Sequence, residues 1–131
     1  MSPVVRAYFD AVEDRLLESS AILAYHITRQ ETGAGDGKLR IRAAVQHGGE
    51  AEFFMYVAEQ AGAVRTLKYS FHWQGGDGTL RRRWDNAPHH PGLPGAPHHV
   101  HETDNKVRGV ERPPNFFTVI AEMERDLKSM S

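Results

Sequence analysis

The chain has 131 residues, of which 40% are hydrophobic, and its 16 basic and 17 acidic side chains give a formal net charge of −1. This size and apolar content predict one domain over residues 1–131 with one core. The absence of cysteine excludes disulfides, thiolate nucleophiles and cysteine zinc sites. No apolar run reaches the roughly 20 residues of a membrane span, so we expect a cytoplasmic protein without a membrane partner.

The N-terminal segment carries the signals of an amphipathic helix. Ser2 precedes a proline, and apolar residues then recur at helical spacing, which predicts a helix over residues 3–18. Residues 21–29 alternate instead, with Ile22, Ala24 and His26 on one face, and "TGAGDGK" follows as a turn. The helix is therefore expected to lead into a first strand.

Further alternating segments predict two hairpins. Residues 38–45 and 51–57 both alternate and are separated by "HGG". Residues 64–73 place aromatic side chains on one face and are followed by "GGDG", a tight-turn signal. The returning strand is predicted over residues 79–85.

Strand parity fixes the two faces of the second hairpin. Residues paired across antiparallel strands point to the same face, and a loop of even length preserves one parity. A loop of two or four residues would place Leu80, Arg82 and Trp84 beside the aromatic residues of the preceding strand. The opposite face would then gather Lys68, Ser70, His72, Arg81, Arg83 and Asp85.

The segment from Asn86 to Pro114 is rich in proline, glycine and histidine, and it is too long for an ordinary connection. We therefore expect a functional loop. Asn115 can cap a final helix, after which apolar residues recur at helical spacing. The resulting prediction is an α+β fold, an antiparallel meander of about five strands with the N- and C-terminal helices packed on one face. The other sheet face would be open for a ligand or a partner.

Five of the chain's 8 histidines lie between His89 and His101. Imidazoles can act as base and acid on an RNA phosphodiester, while arginines stabilise the charge that builds on phosphorus. This inventory predicts metal-independent RNA cleavage, with Asp85 orienting an imidazole. The candidate catalytic residues are Asp85, His89, His90, His98, His99 and His101, and the candidate nucleic-acid-binding residues are Lys68, His72, Arg81 and Arg83.

A metal site is the first alternative. The histidine pair at 89 and 90 and the sequence "HHVH" at 98–101 could supply three imidazoles, with Asp85 or Asp104 as a carboxylate, to Zn²⁺ or Mn²⁺ in a hydrolase. The spacing is permissive, but no "HExxH" or other helical ligand pair occurs. The leading prediction therefore includes no metal and no cofactor.

A binding module without chemistry is the second alternative. The basic sheet face and the rings of Phe54 and Tyr56 could bind single-stranded nucleic acid, and the histidine segment could bind a protein. Core packing is the more ordinary role for these two rings. His26 and His47 are isolated in the sequence and are expected to be structural or surface residues.

The block "YSFHWQGGDGTLRRRWDNAPHHPGLPGAPHHVH", from Tyr69 to His101, resembles the TumE-type family of prokaryotic toxin–antitoxin proteins. The resemblance rests on an aromatic-rich strand, a glycine turn and "RWDNAPHH" followed by "PHHVH". It implies a small cytosolic toxin encoded beside a DNA-binding antitoxin, which would be its partner. The long acidic N-terminal helix departs from the family pattern, and a homodimer through such a surface is a further expectation. The resemblance extends to Tyr69, His72, Gly78, Arg83, Asp85, Asn86, His89, His90, Pro97, His98, His99 and His101.

Overall fold

The computed structural model of the chain describes residues 2–87, 96–104, 106–110 and 112–130. Seven strands form one sheet in the order β1-β2-β3-β4-β5-β6-β7, and every neighbouring pair is antiparallel. The predicted α+β meander is confirmed, with seven strands where about five were expected. In chain order the elements are α1 (Pro3–Glu18), β1 (Ile22–Thr32), β2 (Asp36–Val45), a 3₁₀ turn (Gln46–Gly48), β3 (Gly49–Gln60), β4 (Ala63–Gln74), β5 (Leu80–Asp85), β6 (His99–Glu102), β7 (Val107–Gly109) and α2 (Phe116–Ser129).

Both helices begin at the predicted caps. The Ser2 hydroxyl accepts from the Val5 N–H, and the Asn115 side chain accepts from the Thr118 N–H. The Thr118 hydroxyl in turn accepts from the Asn115 N–H at 3.0 Å, which completes a capping box. Over the described part of the chain, no helix is long and apolar enough to cross a membrane.

The two helices pack side by side on one face of the sheet, as predicted. The Phe116 ring of α2 lies edge-on against Phe53 of β3, with ring centroids 5.2 Å apart. Tyr8 of α1 contacts Phe117 of α2 in the same edge-on manner, at 5.8 Å. Full burial of a side chain such as Phe116 contributes about 1.5–3 kcal/mol. The opposite face of the sheet, which we call the open face, carries mostly polar side chains.

Two strands occupy part of the segment that was predicted to be a long loop. β6 pairs with β5, and its Val100 lies opposite Trp84, with both side chains buried toward the helices. The loop prediction is therefore wrong for residues 99–102 and 107–109. Its physical error is that "HVHE" is itself an alternating strand, in which Val100 faces the helices and the two histidines face the other side of the sheet. The loop prediction for residues 88–95 lies outside the described residues.

The loop between β4 and β5 has five residues, so the predicted even length is wrong. A register shift compensates, because Leu80 pairs with Gln74 and Arg82 pairs with Trp73, which leaves Arg81 as the extra residue of a bulge. The five-residue loop and the extra residue Arg81 together place the later residues of β5 on the faces that an even loop would have given. Arg82 and Trp84 consequently lie with the aromatic side chains of β4, on the helix side.

The bulge also moves Arg81 away from its predicted face. Its guanidinium lies over the Trp73 ring, 5.1 Å from the ring centroid, and 3.0 Å from the Met130 sulfur at the end of α2. The placement of Arg81 beside His72 and Arg83 is therefore wrong. Its backbone sits at the bulge, where side chains no longer alternate strictly between the faces.

Candidate active site on the open face

One continuous row of polar side chains crosses the open face. The strand register places one member on each of the first six strands, directly opposite its neighbours, and such pairs share a face. Adjacent strands lie about 4.8 Å apart, so the row is roughly 24 Å long. We call this set the polar row. Its members, in strand order, are His26, Arg42, Glu52, His72, Arg83 and His101.

A buried carboxylate lies beside the polar row at its β5–β6 end. Asp85 is 2% exposed and pairs directly with His99, which is fully buried. Its Oδ1 lies 2.9 Å from His99 Nε2 and accepts the Ala87 N–H at 3.1 Å. Its Oδ2 lies 3.0 Å from Arg83 Nε and 3.7 Å from His101 Nε2. These contacts offset the cost of burying the charge, and we call Asp85, His99 and His101 the Asp–His cluster.

The tautomer of His99 follows from its second contact. His99 Nδ1 lies 2.8 Å from the Pro97 carbonyl oxygen, which can only accept a hydrogen bond. Nδ1 therefore carries a proton, and Nε2 is the nitrogen that faces Asp85. Nε2 and the Asp85 Oδ1 lie 2.9 Å apart, and both are atoms that can ligate a cation.

The same cluster has the donor set of a divalent metal site. One ligand atom from each of Asp85, His99 and His101 lies within 4.8 Å of the others. Two imidazoles and one carboxylate suit Zn²⁺ and related ions, and the Nδ1–H bond to a carbonyl is the contact that usually orients a ligating histidine. Asp104, the alternative carboxylate, instead faces Lys106, with Oδ2 3.6 Å from Nζ. The described residues therefore fit a metal ion through the Asp85 alternative.

His98 lies on the other side of the sheet. Its ring stacks on Tyr69, at 5.8 Å and 7° between planes, and its Nδ1 lies 2.8 Å from the Tyr69 hydroxyl. Burial, with a smaller effect of Asp85, raises the pKa of Tyr69. Burial, with a smaller effect of His99, lowers the pKa of His98. A protonated phenol thus donates to a neutral imidazole, which joins His98 to the helix-side core.

The predicted catalytic set is therefore only partly brought together. Asp85, His99 and His101 form one cluster, His98 lies apart from it, and His89 and His90 lie outside the described residues. The sequence did not show which of these histidines lie together. The side of the sheet on which each one lies depends on whether it belongs to a strand.

The predicted nucleic-acid-binding residues also separate. His72 and Arg83 are directly paired in the polar row, and Lys68 lies exposed on the same face opposite Tyr56. Burial lowers the pKa of His72, the Arg83 guanidinium lowers it further, and Glu52 opposes both. Arg81 lies on the helix side, so its predicted partnership with Arg83 at one phosphate is not supported.

Sequence reasoning missed the β1–β3 half of the polar row. Arg40 and Glu52 form an ion pair at 2.5 Å, and Arg40 also covers Phe54, with 4.6 Å from its guanidinium carbon to the ring centroid. Phe54 is buried on the open face, so its ring packs beneath Arg40. His26 is exposed, in keeping with a surface residue, but the register places it in the row opposite Arg42. Only the pairing of β1 with β2 and of β2 with β3 identifies these residues.

The comparison with known families agrees with the motif in the second half of the chain. The family model described as Toxin TumE matches residues 12–131. The match spans the whole sheet, whereas the sequence resemblance was specific only from Tyr69 to His101. No curated protein and no solved structure matches the chain.

Proposed function

Because the chain belongs to the TumE toxin family, which suggests the toxin component of a toxin–antitoxin system, we propose that it cleaves RNA by metal-independent histidine acid–base catalysis. RNA is the proposed substrate and a cognate antitoxin the proposed protein partner, in the cytoplasm. The predicted homodimer stays a prediction. The observation that supports the activity is the segment His72–Arg83–His101 of the polar row, backed by Asp85.

This segment places a guanidinium between two imidazoles. His72 and His101 flank Arg83 on the two neighbouring strands, about 4.8 Å away on each side. A phosphodiester bound to Arg83 would have one imidazole on the side of the attacking oxygen and the other on the side of the leaving oxygen. Acid–base catalysis of an in-line displacement needs this arrangement.

The environment of each imidazole favours one assignment of roles. His72 has a lowered pKa and is neutral at pH 7, so it would accept the proton of the ribose 2′-hydroxyl as that oxygen bonds to phosphorus. The buried Nε2 of His101 lies 3.7 Å from Asp85, so Nδ1 of this partly exposed side chain would donate a proton to the 5′-oxygen as its bond to phosphorus breaks. Arg83 would stabilise the charge on the phosphoryl oxygens. The predicted contribution of His89 or His90 lies outside the described residues.

Asp85 and His99 would act from below the surface. Both are buried, whereas Arg83 is 41% exposed. Asp85 would orient His101 and Arg83 together, and His99 would in turn hold Asp85 in place. They are therefore proposed as positioning residues for the accessible members of the row.

A single-turnover assay on a mixed RNA pool in the presence of EDTA tests this proposal. Arg83→Ala should slow cleavage by about 10²-fold or more, because it removes the charge that stabilises the transition state. Arg81→Ala makes the same chemical change two positions away, on the helix side, and should cleave at nearly the wild-type rate. Equal rates for Arg83→Ala and wild type would contradict the proposal.

A metal-dependent hydrolase is the second candidate, favoured by the ligand geometry of the Asp–His cluster. Asp85, His99 and His101 would hold the ion, which would supply Lewis-acid chemistry when bound. The assay above separates the two candidates. Cleavage that stops in EDTA and returns with added Zn²⁺ or Mn²⁺ would favour the metal-dependent enzyme, whereas cleavage that persists in EDTA favours acid–base catalysis.

A further inference from the structure

A cavity of about 580 Å³ opens on the open face over the β1–β4 half of the polar row. The cross-strand pair Ala24 and Ala44 lines it, and both side chains are too short to fill the space. Longer polar side chains surround this pair, so the cavity has hydrogen-bonding groups on several sides. The polar side chains of the lining are His26, Arg42, Glu50, Glu52, His72 and Gln74.

The cavity adjoins the proposed catalytic segment. His72 both lines the cavity and pairs with Arg83. Arg42 and Arg83 belong to the same row, three strand spacings apart, which is about 14 Å. A few nucleotides of extended single strand can bridge such a distance. RNA held by its phosphate at Arg83 would therefore pass over the cavity.

The charges of the lining leave one arginine accessible to an anion. Glu52 is bound tightly by Arg40, at 2.5 Å. Arg42 Nε lies 3.9 Å from Glu52, and the Arg42 side chain is 59% exposed. Arg40 therefore supplies most of the charge compensation of Glu52. The Arg42 guanidinium remains accessible for a phosphate or a base edge.

We infer that this cavity is a subsite for one unstacked nucleotide of single-stranded RNA, a few nucleotides from the phosphate that is cleaved. Arg42 contacts the RNA backbone, while Glu50 and Gln74 face the base edge. This inference rests on the proposed function. Splayed bases bound through their edges are the usual basis of single-strand RNA recognition, and the two arginines of the polar row, Arg42 and Arg83, complement the phosphates. A protein partner would favour aromatic or large apolar anchors, whereas the lining combines four alanines with polar and charged side chains. Its one aromatic residue, Tyr25, donates its hydroxyl to Glu13 of α1 and so faces the helix side.

The test measures binding of a fluorescent single-stranded 2′-O-methyl RNA to the full chain by anisotropy. This RNA lacks the attacking hydroxyl, so binding is measured without cleavage. Arg42→Ala should weaken binding about tenfold and reduce the salt slope of log K by about 0.7, the contribution of one single-strand phosphate contact. The matched control Arg125→Ala lies on the exposed side of α2 and should match wild type.

A second pair of variants tests the space itself. Ala44→Leu should fill the cavity and weaken binding about tenfold with an unchanged salt slope, whereas Ala11→Leu, the same change on the exposed side of α1, should bind as wild type does. Wild-type affinity in both Arg42→Ala and Ala44→Leu would overturn the subsite. So would weaker binding of an antitoxin protein by these variants with unchanged RNA binding. If the variants weaken RNA binding but the wild type cleaves no RNA, the subsite is supported and the ribonuclease proposal is contradicted.

Discussion

His98 and His99 are neighbours in sequence and lie on opposite sides of the sheet. His98 stacks on Tyr69 and accepts its hydroxyl on the helix side, where burial lowers the pKa of His98. His99 lies on the open face against Asp85 and joins the Asp–His cluster. The difference comes from the start of the strand, because β6 begins at His99 and His98 lies just before it. One of the two adjacent histidines therefore joins the helix-side core and the other joins the Asp–His cluster.

Arg82 and Arg83 repeat this contrast with arginines. Arg82 is 23% exposed, and its Nη1 contacts Glu122 at 2.9 Å and Asp126 at 3.0 Å, which ties β5 to α2. Arg83 is 41% exposed and contacts Asp85, which also faces two imidazoles. The helix-side arginine is saturated by carboxylates. The open-face arginine keeps exposed surface on which an anion can bind.

The largest expected effect comes from Asp85→Asn. An amide keeps the size of the side chain, but it removes the charge that orients His101 and Arg83. Its NH2 group also faces a donor in either orientation, the Ala87 N–H or the Arg83 Nε–H. We expect RNA cleavage to fall by about 10²-fold or more, equivalent to roughly 2.7 kcal/mol, while the chain stays folded. Single-turnover cleavage and circular dichroism measure the two effects. Asp10→Asn, an exposed change on α1, is the control, and a fully active Asp85→Asn would count against the cluster.

Arg82→Ala should have the largest effect on stability. It leaves Glu122 and Asp126 facing each other without their shared cation, at a site that is only partly exposed. We expect the free energy of unfolding to fall by about 2 kcal/mol, as measured by urea denaturation. Arg108→Ala removes a more exposed ion pair to Glu102 and should cost about 0.5 kcal/mol. Equal losses of unfolding free energy in the two variants would show that Arg82 stabilises the fold no more than a surface arginine does.

Tyr69→Phe tests the helix-side partner of His98. The substitution removes the hydroxyl that donates to His98 Nδ1 and leaves the ring in place. We expect a loss of about 1 kcal/mol in the free energy of unfolding, with RNA cleavage unchanged. Thermal denaturation and the cleavage assay check the two statements. A large loss of cleavage with no loss of stability would show instead that His98 takes part in catalysis.

The smallest expected effect is a pH dependence of stability from His72. Its pKa in the folded chain lies below the ordinary value of 6.5, so the unfolded chain takes up the proton first. Its contribution to stability is complete above about pH 6.5 and is lost as the pH falls through the folded pKa. His72→Gln should flatten this part of the curve of unfolding free energy against pH. An unchanged curve would show that His72 titrates normally.

Much of the fold was predictable from the sequence because its signals are local. The caps at Ser2 and Asn115, the first hairpin and the helix-side aromatics of β4 follow from side-chain spacing and turn residues. The segment from Asn86 to Pro114 was harder, because its composition suggests a loop and its four-residue strand β6 is stabilised by pairing with β5. Local propensity carries little information about so short a strand.

The bulges explain most of the remaining errors. Arg81 lies in one, and a register shift between Tyr56 and Val57 adds Leu67 as an unpaired residue of β4, where it is exposed. A bulge reverses the alternation on one side of it, and nothing in the residues themselves fixes its position. The β1–β3 half of the polar row was missed for a related reason, since it depends on the register of β1 with β2 and of β2 with β3.

The proposed chemistry of this chain lies on the open face. The most direct test is single-turnover RNA cleavage in EDTA by wild type, His101→Asn and His47→Asn. His47 is an exposed histidine with a positive φ of 64°, which asparagine tolerates, so this variant is a matched control. We predict that His101→Asn slows cleavage by about 10²-fold or more and that His47→Asn cleaves as wild type does. Cleavage by His101→Asn at the wild-type rate would contradict the account.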